Sequence, residues 1–307
     1  MITPISYRIV AKNNFNYTEM TNRSFLNCKP DTVSFSGSFS GGSLNPLVSY
    51  INRVCRSQTA ISKKAVPVIE ELKNIVKTEK IQGMPVWFMH NENSGKGTVI
   101  IFHGLGQNAA TNQAFYKKFI ENGYSVIAPE FCGFGGHQGE ISAKYIKEAA
   151  AIVNKEIIKK RNIDNAQIVT LCFGAQPGAE AIINNPEIKS LIMLAPFQSF
   201  FQFDRCITTR NWFNLSETEK KFVKRFPSVL KPIDKALGTD LSDKLKKIEN
   251  PVYIIHGTRD SVVPFKYSEA LAERFKDIKL IGLEGIGHKP ENKIIEQTVE
   301  VLNRVNR

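Results

Sequence analysis

Six short, nearly unbroken apolar runs recur along this chain: GTVIIFHG (97–104), YSVIAPE (124–130), QIVTLCF (167–173), IKSLIMLAP (188–196), PVYIIHG (251–257) and IKLIGLEG (278–285). A strand with one face in water alternates apolar and polar residues. An unbroken run is a strand buried on both faces, the condition of strands in a parallel sheet covered by helices. Stretches with apolar residues at helical spacing separate the runs: NQAFYKKFIENG (112–123), ISAKYIKEAAAIVNKEIIKKR (141–161), EALAERFKD (269–277) and KIIEQTVEVLNRV (293–305). This alternation predicts an α/β fold with a doubly wound, mostly parallel sheet. Upstream, the spacing in VPVIEELKNIVK (66–77) predicts a helix, and KIQGMPVWFMHN (80–91) predicts two short strands around a Gly-Met-Pro turn.

The chain divides unevenly. Residues 1–60 are rich in Asn, Ser, Thr and Gly, as in SFSGSFSGGSLNP (34–46). Such text buries too little apolar surface to offset its ordering entropy. A poorly ordered extension is expected there, with a docking or targeting tail as the alternative. Residues 61–307 suit one domain with a full core. One interval breaks the strand–helix alternation. Residues 197–248 carry aromatic and basic helical text, including Phe200, Phe201, Phe203, Trp212 and Phe213. An insertion at this point predicts a helical cap over the C-terminal edge of the sheet. An ordinary pair of packing helices is the rival reading.

Composition narrows the function classes. Apolar residues make up 42% of the chain and charged residues 23%, the balance of a soluble globular protein. No run approaches the roughly 18–20 apolar residues that span a bilayer, so no transmembrane segment is expected. The start, MITPISYRIVAKNNFNY, lacks the basic opening and long apolar run of a secretory signal, so a cytoplasmic location is expected. The five cysteines, Cys28, Cys55, Cys132, Cys172 and Cys206, form no C-x-x-C pair and are odd in number. That pattern argues against a disulfide framework or a zinc site and for a reducing compartment. No metal or cofactor is expected. The net charge is +12, with lysine-rich stretches at 159–161, 220–221 and 244–247. No nucleic-acid-binding motif accompanies it, so the charge reads as solvated helix faces and no nucleic acid is expected. Peripheral contact with an anionic membrane stays open.

The chemistry concentrates on loops that follow the apolar runs, because a parallel sheet points its C-terminal strand ends into one crevice. The first loop is His103-Gly104-Leu105-Gly106-Gln107, where glycines allow close backbone approach and N–H groups can face an oxyanion. Asp260 lies in HGTRDSVVP and His288 in EGIGHKP, each just after a buried run. A carboxylate bonded to one ring nitrogen orients an imidazole to act as a base through the other.

In order, these pieces resemble the α/β-hydrolase superfamily over about residues 80–305. The stretch Pro129-Glu130-Phe131-Cys132-Gly133-Phe134-Gly135-Gly136-His137-Gln138-Gly139 resembles its P-D-x-x-G-x-G-x-S-x-G loop, with Glu130 for Asp and His137 for Ser. The resemblance implies an oxyanion-hole donor at the backbone N–H of Leu105, the acid at Asp260 and the base at His288. The family's nucleophile elbow reads G-x-S-x-G, and the corresponding text here, Thr170-Leu171-Cys172-Phe173-Gly174-Ala175-Gln176-Pro177-Gly178, contains no serine.

Two registers compete at the elbow. In one, Cys172 is the nucleophile, followed by the small residues Gly174 and Ala175 that the turn needs. Cys-Phe-Gly-Ala resembles the elbow of the cysteine-dependent dienelactone hydrolases. Phe173 would then give the second oxyanion donor, and the helix would run over 173–184. Thr170 stands where the family has glycine. In the other register Gln176 holds the nucleophile position between Gly174 and Gly178, and an amide cannot attack an acyl carbon. The first register predicts an esterase or thioesterase acting on a small acyl substrate through Cys172, His288 and Asp260, with acyl transfer as a variant. The second predicts a catalytically dead binding protein.

Overall fold

A computed structural model describes residues 66–92, 95–130, 143–202, 217–289 and 291–306. The extension at 1–60, the stretch 131–142 and residues Phe203, Trp212 and Phe213 lie outside the described residues. Eight strands form one sheet: β1 (Val76–Ile81), β2 (Met84–Met89), β3 (Thr98–Phe102), β4 (Ser125–Pro129), β5 (Ala166–Leu171), β6 (Leu191–Leu194), β7 (Val252–Gly257) and β8 (Ile278–Leu283). Their order is β1-β2-β4-β3-β5-β6-β7-β8. The β1–β2 and β2–β4 pairs are antiparallel, and every other pair is parallel. This is the doubly wound, mostly parallel sheet that the apolar runs predict.

Helices cover both faces. In chain order they are α1 (Gln113–Glu121), α2 (Ala143–Ile152, continued by a π-helical stretch Val153–Lys159), α3 (Ala175–Ile183), α4 (Glu217–Arg225), α5 (Lys231–Leu237), α6 (Leu241–Leu245), α7 (Lys266–Arg274) and α8 (Asn292–Val305). The two-residue period of a strand sends alternate side chains to opposite faces, and here both sets are apolar. Ile100, Phe102, Ile168, Met193 and Ile254 join one core layer with residues of α2, α3, α5 and α6. Val99, Ile101, Val169, Ile192 and Ile255 join the other with α1 and α8.

Two sequence expectations are corrected. No helix fills 66–77; a single 3-10 turn, Glu70–Leu72, is followed by β1. A helix there would leave the backbone groups along the outer edge of β2 unpaired, and the Val76↔Met89 to Ile81↔Met84 register satisfies them. The apolar spacing is used differently: Leu72 is buried, and Val68, Ile69, Ile75 and Val76 pack beside it. The hairpin turn falls on Gln82-Gly83, both at positive φ, rather than on Gly-Met-Pro.

In the 197–248 interval, Val223 of α4, Ile233 and Leu237 of α5, and Leu241 and Leu245 of α6 are buried in the layer that holds α2 and α3. Phe200 is buried with them and Phe201 packs at its margin. Several members of the basic stretches are ion-paired, as in Lys160–Glu156, Arg161–Glu79, Lys220–Glu217 and Lys246–Asp243. Lys244 is buried and lies 4.0 Å from Glu180. No helix among the described residues is long and apolar enough to cross a membrane.

The strand order fixes where a ligand can sit. The chain leaves β3 toward β4 on one side, and leaves the adjacent β5 toward β6 on the other. Loops diverging from neighbouring parallel strands open a crevice at their carboxyl ends. The loop after β3 carries Leu105, and the turn after β5 carries Cys172.

Candidate active site

The chain turns from β5 into α3 through a short 3-10 turn, Cys172–Gly174. Cys172 stands at its head with φ +48°. A non-glycine residue in this left-handed region costs about 1–2 kcal/mol and persists only where its surroundings impose it. Here two close approaches impose it. A Cβ on Gly174 would lie 2.3 Å from the Phe102 carbonyl oxygen and 2.7 Å from that of His103, so only glycine lets the turn press against the end of β3. The Cys172 carbonyl also accepts the N–H groups of Ala175 and, at 3.0 Å, Phe197. Thr170, where the family has glycine, is accommodated one turn later. A Cβ on Gly178 would sit 2.3 Å from the Thr170 Cγ2, so the space missing at 170 is supplied at 178.

Gln176 does not occupy the bend. It lies inside α3, fully buried, and its Nε2 donates to the carbonyls of Phe197, Gln198 and Thr239 at 2.9–3.1 Å. Its Oε1 accepts from Lys244 Nζ at 3.1 Å. The amide ties α3 to the segment after β6, to Thr239 ahead of α6 and to α6 itself.

Asp260 follows β7 and His288 follows β8. The Asp260 carboxylate takes four donors. Oδ1 accepts the N–H groups of Val262 (2.7 Å) and Val263 (2.8 Å), and Oδ2 accepts His288 Nδ1 (2.6 Å) and His256 Nε2 (3.1 Å). Burial alone would raise its pKa, but the hydrogen bonds from His256 and His288 hold it well below the usual carboxylate range. The His288 ring is 23% exposed at its side chain. Desolvation would lower its pKa; hydrogen bonds to Asp260 and Cys172, and attraction to both groups, push it up to about 10. Asp260 thus holds Nδ1 of the ring at 2.6 Å, and Cys172 lies near enough to help raise the ring's pKa.

The loop after β3 lies directly against the bend, since a Cβ on Gly104 would come within 3.3 Å of Cys172 Cβ. It is braced from several sides. Gly104 N–H donates to Gln107 Oε1 at 2.8 Å, and His103 Nδ1 lies 3.0 Å from the Gly104 oxygen. His103 Nε2 is 2.8 Å from Glu130 Oε2, and Glu130 Oε1 accepts the Ala109 N–H at 2.7 Å. Glu130 therefore ties the end of β4 to the start of the 109–112 turn. Leu105 is partly buried and Phe173 fully buried in the core layer beside the bend. Among the described residues no group of three or more His, Cys, Asp or Glu side chains could hold a metal ion.

Sequence reasoning passed over two residues of this site. His256 lies four positions before Asp260 in the same motif, and its signal was an imidazole inside an otherwise apolar buried run. Gly178 was read only as the outer glycine of the Gln176 register, whereas it makes room for Thr170.

A doubly wound sheet with a strained residue at the carboxyl end of β5, and a histidine–aspartate pair after the next strands but one, defines an α/β hydrolase. The serine aminopeptidase family S33 matches residues 93–228. Alpha/beta hydrolase domain-containing protein 17B of Xenopus tropicalis is 47% identical over 219 residues, covering 70% of this chain and 68% of that protein. The human 17B protein is 23% identical over 220 residues, with the same coverage. Among solved structures, the Pyrococcus furiosus esterase Pf2001 superposes with a TM-score of 0.58 at 18% identity, covering 80% of this chain and 98% of that one. The chain belongs to the α/β-hydrolase superfamily and is an enzyme of the α/β-hydrolase type.

Proposed function

We propose that the enzyme hydrolyses small carboxylic esters or thioesters through an acyl-cysteine on Cys172, with His288 as base and Asp260 as its orienting acid. The observation that carries this reading is the His288 ring. It is held by Asp260 on Nδ1, and its pKa is raised by Cys172, the one residue that stands at positive φ between β5 and α3. The ring holds the thiol proton as an imidazolium, and the Cys172 thiolate attacks the acyl carbonyl. The tetrahedral oxyanion is received by the N–H groups of Leu105 and Phe173, which lie on the two elements that meet at the bend. Collapse expels the alcohol or thiol, which leaves with the proton from His288. Water, deprotonated by the same ring, then attacks the acyl-cysteine and releases the acid. The esterase named among the fold neighbours supports the ester class.

Incubation with p-nitrophenyl acetate, followed by peptide mass spectrometry, is expected to find an acetyl adduct on Cys172. The adduct should be absent in Cys172→Ala, and its formation should slow by about 100-fold or more in His288→Ala, the scale of a lost general base. A wild-type protein that stays unmodified while releasing p-nitrophenol, or an adduct that persists in Cys172→Ala, overturns the mechanism.

A further inference from the structure

The Asp260 carboxylate is shared by two histidines, His288 and His256. The second, His256, sits within β7, fully buried, with Phe265 edge-on to its ring at 5.5 Å between centroids. Its Nε2 lies 3.1 Å from Asp260 Oδ2 and 2.9 Å from the Val263 carbonyl oxygen. Both of those atoms are acceptors, so Nε2 carries the proton. Its Nδ1 lies 2.7 Å from the hydroxyl of Ser268, a buried residue on α7. With Nε2 as the donor, Nδ1 is free to accept, and the Ser268 O–H points to it. The chain Ser268–His256–Asp260–His288 runs from α7 through β7 to the loop after β8.

We propose that His256 is a positioning residue for the catalytic pair: its Nε2–H, held in that tautomer by the Ser268 hydroxyl, fixes Asp260 Oδ2 on the line to His288 Nδ1. The inference rests on the Cys172–His288–Asp260 reading and deepens it. The geometry gives a reason. The backbone donors Val262 and Val263 both bind Oδ1, so they anchor one oxygen and leave the carboxylate free to swing about that anchor. Only a donor on Oδ2 from the far side stops the swing, and His256 is that donor. It supplies an N–H while the carboxylate keeps its charge for His288.

The test measures carbamidomethylation of Cys172 by iodoacetamide across pH 5–9 in the full chain, with the Cys172 peptide quantified by mass spectrometry. Variants are His256→Ala, His256→Gln (whose side-chain amide places a donor near the former Nε2), Ser268→Ala and His288→Ala. We expect His256→Ala to cut the rate at neutral pH about tenfold and displace the profile toward alkaline pH, equivalent to about one pH unit. Ser268→Ala, which removes a single hydroxyl, should shift it in the same direction by less, and His256→Gln should recover most of the wild-type profile. If His256→Ala fails to fold, the Ser268→Ala shift and the His256→Gln rescue decide the matter. Profiles of the His256 and Ser268 variants that overlay wild type, while His288→Ala moves, overturn the positioning role and leave the catalytic pair intact. A His288→Ala profile that itself overlays wild type overturns the pair, and the inference with it.

Discussion

Thr170 shows how a single residue departs from its family's pattern without loss of the bend. Its methyl fills the gap that Gly178 leaves, but its hydroxyl gains nothing: Thr170 Oγ1 is buried and has no hydrogen-bond partner. A buried hydroxyl without a partner keeps its desolvation cost, and an isosteric methyl removes it. Thr170→Val should therefore leave stability unchanged or raise it by up to ~1 kcal/mol, read from chemical denaturation midpoints at unchanged slope. A loss of more than about 1 kcal/mol would mean the hydroxyl has a partner after all. At this scale the sequence puts Cys172 near the end of one apolar run and Asp260 and His288 just after two others, at the carboxyl ends that face the crevice. It was silent on Thr170 and Gly178. Their fit depends on how deeply α3 presses onto β5, and no residue spacing carries that distance. His256 was passed over for a related reason: its sequence position shows a histidine within a strand but not that Asp260 folds back beneath it.

Individual elements are held to one another by polar contacts as well as by apolar packing. Gln176 of α3 and Lys244 of α6 form such a joint. Lys244 Nζ donates to Gln176 Oε1 and to the Gln176 backbone oxygen, both at 3.1 Å, and to the Gly238 oxygen at 2.7 Å. Burial pushes the Lys244 pKa down to about 8, against the attraction of Glu180 and Asp240. Gln176→Leu removes the donor to three carbonyls and one acceptor from a buried ammonium, and should cost roughly 2–4 kcal/mol. Lys244→Met should be milder. The double variant should be more stable than the sum of the two losses by about 1 kcal/mol or more, because the partners are coupled, which a urea-denaturation cycle measures. Additive losses would show that the joint does not act as a unit. Elements were legible where apolar runs were long and continuous, as in β3 to β8. They were misread where the sheet's own edge decided, as at 76–81. There the helical spacing is local, whereas the demand for hydrogen bonds comes from β2.

The whole molecule carries a net charge of +12, and its isoelectric point near 9.4 means that charge repulsion relaxes as the pH rises. That background acts on wild type and on a neutral variant nearly alike, so a difference between them isolates one site. In the folded protein the His288 pKa rises from 6.5 to about 10, while Asp260 is held below its ordinary 3.8. A base with a raised folded pKa adds stability that is complete below its unfolded value and disappears as pH climbs through the folded one. An acid with a lowered folded pKa adds stability that is complete above its unfolded value and disappears in stronger acid. The two windows overlap between about pH 4 and pH 6.5, where both groups contribute in full. The stability gap between wild type and His288→Ala should therefore be widest there and shrink by roughly 2–4 kcal/mol as the pH is raised to 10, after discount for the partial exposure of the ring. Denaturation of both proteins at pH 6, 8 and 10 gives the three differences. A constant gap would mean that His288 contributes by packing alone, and a gap that widens with pH would place its folded pKa below 6.5.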